Sequence, residues 1–256
     1  MRYAPCGFRW EMRTIKLTLA YDGTKYQGWQ VQPKGSTIQG VIEEKLSLLT
    51  GEKVHLIGAG RTDAGAHACR QVAHFKTQSP LEVLTLQKAL NSLLPSDMAI
   101  RRVEEVEGDF HARKSCRSKI YEYRILNEIV RCPFQREYAW HLSYPLDWGE
   151  MKRATKRLIG QHDFSSFRSA GSSAKTSIRK VVRAEWKRSR DGLVRFEIEA
   201  DGFLKQMVRA IVGTLVEVGK GKINAAQFQK IIESKDRKRA GPTAPARGLF
   251  LKEVKY

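Results

Sequence analysis

The chain has 256 residues, enough for one large or two ordinary domains, and we expect two. Its 46 Lys and Arg residues against 27 Asp and Glu give a formal net charge of +19, which is unusual for a metabolic enzyme and predicts a polyanionic partner. Nucleic acid is favoured over a membrane, because the charge is spread along the chain and no apolar stretch approaches the roughly 18 residues that span a bilayer.

The first half alternates strand-like and helix-like segments after an extension, residues 1–11, that we place outside the fold. The S-x-x-Q spacing of Ser36-Thr37-Ile38-Gln39 is that of a capping box, and apolar residues then recur at helical spacing as far as Leu49. The order strand, helix, strand, strand, helix, strand predicts an α+β sandwich with helices on one face of the sheet. The other predicted segments are strands at 14–21, 54–57, 71–75 and 98–103 and a helix at 81–94 that Pro95 ends.

The density of basic residues rises sharply at 113–119, and we place the domain boundary there, with domains at 12–113 and 114–256. The second half repeats the plan loosely in the order of its elements, which predicts two similar α+β halves. Its predicted segments are a strand at 120–125, a helix from Asp147 to Ile159, a hairpin turning at Asp191-Gly192, a helix from Phe203 to Val218, a helix capped by Asn224 and a strand at 248–254.

A distinctive stretch is residues 56–68, where a short apolar run enters a loop with three glycines. Asp63 and Arg61 are the only charged side chains in that loop. On spacing alone, Asp63 is most simply a turn or helix-capping acid, which Asp often is beside Gly. Nucleotide-binding loops are excluded, because an acid stands where the dinucleotide fingerprint needs its third glycine and no Gly-Lys-Ser/Thr follows.

The cysteines and histidines predict neither disulfides nor a metal. The four cysteines are widely scattered and include no C-x-x-C pair, which is typical of reduced thiols in a cytoplasmic protein. His67 and Cys69 could suggest a metal, but the remaining pattern of the zinc deaminases is missing. We therefore expect no metal.

The glycine loop, read as Gly58-Ala59-Gly60-Arg61-Thr62-Asp63-Ala64-Gly65-Ala66-His67-Ala68, resembles the G-x-G-R-T-D-x-G-V-H-A motif of the TruA-type tRNA pseudouridine synthases. The resemblance covers essentially residues 12–256. Ala66 replaces the usual Val, and Asp201 stands where some members have Asn, but neither change touches the acid of the motif. Further matches, in the family's order, are Gly28-Trp29-Gln30, Asn91 to Pro95, Lys119-Ile120-Tyr121, His162 to Phe167, Phe203 to Arg209 and Ala244 to Leu249.

The resemblance implies isomerisation of uridine to pseudouridine in the anticodon arm of tRNA, at positions thirty-eight, thirty-nine and forty, without a cofactor. It further implies a homodimer and two halves, each a mainly antiparallel sheet with helices on one face, whose sheets join around a central basic cleft. Asp63 would be the nucleophile. One carboxylate is enough for this reaction, since the base never leaves and no water is activated.

The resemblance also suggests three supporting residues. It places the ring of Tyr121 against the target uracil, where the alternative is a core tyrosine, and Arg61 is expected to bind substrate. Arg209 lies on an apolar stretch, where a charge is costly unless paired, and the resemblance implies that it pairs with Asp63. The alternative for Arg209 is a solvated side chain or a phosphate ligand.

Two other classes of function compete with the isomerase. A non-catalytic RNA-binding protein would need only the charge and the aromatic residues, with Asp63 in a turn. A nuclease or a methyltransferase would need clustered acids around metals or a glycine-rich cofactor loop, and the sequence contains neither pattern.

Overall fold

One mixed sheet runs through the part of the chain that the computed structural model describes, which is residues 11–172, 174–189 and 192–256. Its main path has the order β4-β1-β3-β10-β5-β9-β8-β7, with β2 added to β3 and β6 to β5. The strands are β1 (Arg13–Tyr21), β2 (Ile57–Gly58), β3 (His67–Thr77), β4 (Met98–Val106), β5 (Ser118–Leu126), β6 (Trp140–His141), β7 (Gly160–Asp163), β8 (Ile178–Arg188), β9 (Leu193–Ala200) and β10 (Leu249–Lys255).

Strand β10 lies in the middle of the sheet, between β3 and β5. It runs parallel to β3, with Phe250 opposite His67 and Leu251 opposite Ala68, and antiparallel to β5, with Leu251 opposite Tyr121. The final strand of the fold therefore lies between segments from the two halves of the sequence. A division into domains at residues 113 and 114 stays a prediction.

The helices pack in two groups. In the first half α1 packs against α2, and α2 lies on β4, while in the second half α3 packs against α4 and α5, and α4 lies on β5. The most deeply buried is α4, because its apolar residues occupy nearly all of its circumference. The helices of the described residues are α1 (Ile38–Thr50), α2 (Val83–Leu93), α3 (Trp148–Lys156), α4 (Met207–Gly219) and α5 (Ala225–Ser234). None of them is long and apolar enough to cross a membrane.

Several predicted boundaries are corrected by the structure. Thr37, not Ser36, caps α1, and its side chain accepts a hydrogen bond from the Gly40 N–H group. The strand predicted at 54–57 pairs only at Ile57 and Gly58, whereas the strand predicted at 71–75 extends over eleven residues. The turn predicted at Asp191-Gly192 connects two antiparallel strands, β8 and β9, but Asp191 lies outside the described residues, as do residues 1–10 of the predicted extension.

The helix predicted to begin at Phe203 begins at Met207 instead. Gln206 precedes it in a left-handed conformation, with φ of 60°, and its side-chain oxygen accepts a hydrogen bond from Ser169 Oγ at 2.6 Å. This contact with another part of the chain holds residues 203–206 in a turn. The turn places Phe203 and Gln206 beside the cavity described next.

Candidate active site

The glycine loop connects β2 to β3 and is held by the segment that follows β1. The Trp29 N–H group donates to the Thr62 carbonyl at 3.1 Å, and the Gly65 N–H group donates to the Tyr26 carbonyl at 3.3 Å. The backbones approach so closely that a Cβ atom at Gly28, where φ is 85°, would lie 2.6 Å from the Thr62 oxygen. These contacts fix the path of the loop on both sides of residue 63.

Asp63 pairs with Arg209, which lies in the first turn of α4. Arg209 Nη1 is 2.7 Å from Asp63 Oδ2, and the two side chains are only 14% and 24% exposed. The same guanidinium donates through Nε to the Ala244 carbonyl at 2.7 Å, and the Ala244 N–H group donates back to the Arg209 carbonyl. The guanidinium is thus held from behind while it faces the carboxylate, an arrangement that suits the planar fork of Arg.

Asp63 borders a cavity of about 560 Å³ that is lined by residues from both halves of the sequence. Asp63 is the single carboxylate among the described residues that line it, against four cationic side chains. The lining side chains from the first half are Gln27, Gln30, Gln32, Arg61, Asp63 and Arg113, and those from the second half include Lys119, Tyr121, Phe203, Lys205 and Gln206. The cavity is therefore a basic cleft with one acid in it.

Tyr121 lines this cavity and also packs in the core. Its ring is 6% exposed and meets Phe203 edge to face, with centroids 4.9 Å apart. Burial raises the pKa of its phenol well above the ordinary value, with Tyr21 and Asp63 adding to the rise, so the hydroxyl stays protonated at neutral pH. That hydroxyl forms no hydrogen bond with any residue that the structure describes. It is available to a ligand.

Four cations lie along the same cavity: Arg61, Arg113, Lys119 and Lys205. Arg61 and Arg113 are both exposed residues. Partial burial of its side chain lowers the pKa of Arg113, with Arg61 adding to the effect. Burial also lowers the pKa of Lys119. The sequence marks the basic stretch at 113–119 without indicating which side chains reach the site. The alternation of β5, which puts Lys119 and Tyr121 on one face, is the signal that could have identified Lys119.

His67 ends the glycine loop and ties it to the second half. Its imidazole is 1% exposed and stacks on Phe250, with centroids 4.5 Å apart. Nε2 lies 3.0 Å from the carbonyls of both Glu137 and Arg247, and the Gly23 N–H group donates to Nδ1 at 3.1 Å. In the described part of the chain, no group of three His, Cys, Asp or Glu side chains could hold a metal ion.

Comparison with known proteins identifies the family. A model of the tRNA pseudouridine synthases matches residues 18–113 and 154–256, which include the glycine loop, Arg209 and β10. The chain belongs to this family. Its α+β architecture is the pseudouridine synthase fold, and the protein is an isomerase that converts uridine to pseudouridine in tRNA.

Relatives named tRNA pseudouridine synthase A match nearly the whole chain. The relative from Acetivibrio thermocellus is 51% identical over 245 residues, which cover 96% of this chain and 100% of the relative. The relative from Thermoanaerobacter pseudethanolicus is 48% identical with the same coverage. The relative from Myxococcus xanthus is 46% identical, over 96% of this chain and 92% of its own length.

Proposed function

We propose that this pseudouridine synthase acts on the anticodon arm of tRNA, at positions thirty-eight, thirty-nine and forty, with Asp63 as its nucleophile. The observation that carries the proposal is the isolation of Asp63 as the one carboxylate among the described residues of a basic cavity, held by Arg209 at 2.7 Å. The cations would attract the RNA, and the carboxylate would supply the chemistry.

The reaction requires that the bond between N1 and C1′ of uridine breaks and that a bond between C1′ and C5 forms. C5 loses a proton and N1 gains one, so the product has the mass of the substrate. Asp63 can attack the ribose or the base, or stabilise positive charge that develops at C1′, and can later accept the proton. The Arg209 guanidinium bonds the Asp63 carboxylate and fixes its orientation.

The other residues of the cavity hold the substrate in this proposal. Tyr121 forms the surface on which the target uracil stacks, a role supported by its place in the cavity and its unpaired hydroxyl. Arg61 binds the RNA, which is consistent with its exposed side chain in the loop that carries Asp63. We further propose that the enzyme is a cytoplasmic homodimer, as the family resemblance implies.

The decisive experiment is incubation of the enzyme with unmodified tRNA transcripts. The proposal predicts pseudouridine with no change in RNA length or mass, mapped to positions thirty-eight to forty by carbodiimide labelling and primer extension. Transcripts with a single uridine at each position would show which positions react. A gain in mass would indicate methyl transfer and a shortened chain would indicate a nuclease, and either result without pseudouridine would overturn the proposal. Pseudouridine outside the anticodon arm would overturn the assignment of position.

A further inference from the structure

We propose that Lys119 and Arg113 form a binding site for one phosphodiester of the RNA, the phosphate that adjoins the target uridine. The inference rests on the proposed function, because it takes Tyr121 as the residue on which the uracil stacks. It concerns side chains for which neither the family match nor the similarity to relatives gives a role.

The first observation is that Lys119 and Arg113 have no carboxylate partner among the described residues, whereas the two lysines of the neighbouring strand β10 are paired. Lys252, on the neighbouring strand β10, contacts Glu197 and Glu122, and Lys255 Nζ lies 2.8 Å from Glu199. Within the described ranges, neither Lys119 nor Arg113 has a carboxylate within 4.0 Å. The sheet thus supplies acids for cations on β10 but leaves those in the cavity without a partner.

The second observation is that Lys119 is partly buried, with the charge of the more exposed Arg113 near it. Burial lowers the pKa of both side chains, and their mutual repulsion lowers the pKa of Lys119 further. Arg179 adds to this repulsion, whereas Asp201 and Cys116 oppose it. Asp201 does not contact the Lys119 ammonium, since no ion pair within 4.0 Å joins them among the described residues, and Asp201 Oδ1 accepts a hydrogen bond from the Lys180 N–H group. An anion in this part of the cavity would offset the repulsion between the two cations and would form ion pairs with them.

The third observation is the distance from Tyr121. Lys119 and Tyr121 are two residues apart on one face of β5, which separates them by roughly 7 Å along the strand. Both border Gly60, where a Cβ atom would lie 3.6 Å from Tyr121 Oη and 3.7 Å from Lys119 Cε. A nucleobase and its own phosphate have a comparable separation. A uracil on the Tyr121 ring would therefore place an adjoining phosphate within reach of Lys119.

The geometry distinguishes this site from a general basic surface. Exposed lysines can attract RNA at any position along its backbone, whereas a cation fixed beside the stacked base meets the phosphate that adjoins that base. Removal of that single negative charge from the RNA should therefore make the protein insensitive to loss of Lys119. This coupling is what the experiment measures.

The experiment is a double-mutant cycle between protein and RNA, measured as equilibrium binding. The protein background is Asp63→Asn, so that no turnover occurs, and the RNA is an anticodon stem-loop. In separate RNAs a neutral methylphosphonate, next to a 2′-deoxy residue, replaces the phosphate on the 5′ or the 3′ side of the target uridine. Lys119→Met is compared with Lys88→Met, which removes an exposed lysine of α2 far along the sequence from the cavity.

We expect Lys119→Met to weaken binding of the unmodified RNA roughly tenfold, as for loss of a hydrogen bond to a charged group. The salt dependence should fall by about 0.7 in logarithmic slope, the value for one phosphate of a single strand. With one of the two neutral phosphates in place, Lys119→Met should cause no further loss. Lys119→Arg keeps the charge and should bind within about threefold of the parent, and Lys88→Met should leave the affinity unchanged.

If the loss of affinity caused by Lys119→Met and that caused by the methylphosphonate add at both positions, the site is overturned. Undiminished affinity of Lys119→Met for the unmodified RNA would also overturn it. Arg113→Met provides a second arm if Lys119→Met is unfolded by circular dichroism, with the same expectation of coupling. The result is separable from that for the proposed function. If pseudouridine forms but the effects of Lys119→Met and the methylphosphonate are not coupled, only the phosphate site is contradicted. If those effects are coupled but no pseudouridine forms, only the proposed function is contradicted.

Discussion

The indole ring of Trp29 lies directly against the backbone of Gly58, so close that a Cβ atom at residue 58 would be 2.6 Å from it. Trp29 is 1% exposed and is held by core residues that include Tyr21. The ring fills the space beneath the first residue of the glycine loop. The position of Asp63 therefore depends on the absence of a side chain five residues earlier.

Gly58→Ala should destabilise the protein by about 1–3 kcal/mol, because the added methyl group must displace a large, packed ring. The measurement is urea unfolding followed by Trp fluorescence. Gly60→Ala is the matched control, since a Cβ atom there meets nothing closer than 3.6 Å and should change the stability little. Equal stabilities of the two variants would contradict the role of the close Trp29 contact.

Asp63→Asn should abolish pseudouridine formation while the affinity for tRNA stays within about twofold, because the amide keeps the shape but removes the nucleophilic charge. Single-turnover assays and filter binding would measure the two quantities. Asp201→Asn is the control, since that acid does not line the cavity, and it should remain active. Substantial turnover by Asp63→Asn would refute the assignment of the nucleophile.

Arg209→Lys should reduce the rate of the chemical step by at least tenfold, because a lysine cannot bond both the Ala244 carbonyl and the Asp63 carboxylate as the fork does. The affinity for tRNA and its salt dependence should change little. Arg13→Lys tests the specificity of the effect, since Arg13 also bonds a carboxylate and two backbone carbonyls, but on β1 and outside the cavity lining. Reduced affinity with a normal rate would instead indicate that Arg209 binds a phosphate.

Tyr121→Phe should fold normally, because the hydroxyl has no hydrogen-bond partner among the described residues, and its rate shows what the hydroxyl adds. Tyr121→Ala should weaken substrate binding by about 1–3 kcal/mol through loss of stacking. Tyr123→Phe is the contrasting variant, since the Tyr123 hydroxyl donates to the Pro245 carbonyl at 2.7 Å and its loss should lower the stability by about 1 kcal/mol. Full activity of Tyr121→Ala would exclude Tyr121 from the site.

The free energy of unfolding should fall as the pH drops below about 6.5, the ordinary pKa of His. Burial lowers the pKa of His67, although Asp22 opposes the shift, so the unfolded chain binds a proton more readily than the folded protein. The stability supplied by the neutral ring is therefore present above that pH and is lost as the pH falls through the lowered value. Urea unfolding at pH 7.5 to 5 should show that the free energy of unfolding falls less steeply with falling pH in His67→Gln than in the parent protein. Part of the remaining pH dependence is expected from His74, because burial also lowers its pKa.

Local signals in the sequence predicted local structure well. Asn224 caps α5 with a complete capping box, and Asp147 caps α3 by accepting from the Glu150 N–H group, as expected. The predicted start of α4, at Phe203, was wrong because Ser169, far away in sequence, stabilises the left-handed conformation of Gln206. The length of β3 was underestimated because its first residues pair with β10, which no local pattern indicates.

Prediction of the candidate site from sequence was limited in the same way. The glycine pattern and the single acid directed attention to Asp63, and the family resemblance directed it to Arg209 and Tyr121. Arg113 was visible only as part of a basic stretch, and Lys119 also through the Lys119-Ile120-Tyr121 match. Neither signal shows that the side chains reach the cavity, because their approach depends on how β5 lies beside the glycine loop. Residue type and spacing do not contain that tertiary relationship.

The central position of β10 affects the order in which the enzyme becomes functional. His67 and Arg247, which meet at this junction, are 180 residues apart in sequence, so their contact closes a very long loop. Contacts of such separation form late, after hairpins and helices are in place. During synthesis the ribosome must release residues 249–255 before β3 and β5 can be joined. A nascent chain therefore carries its RNA-attracting charge well before it has a completed catalytic cleft.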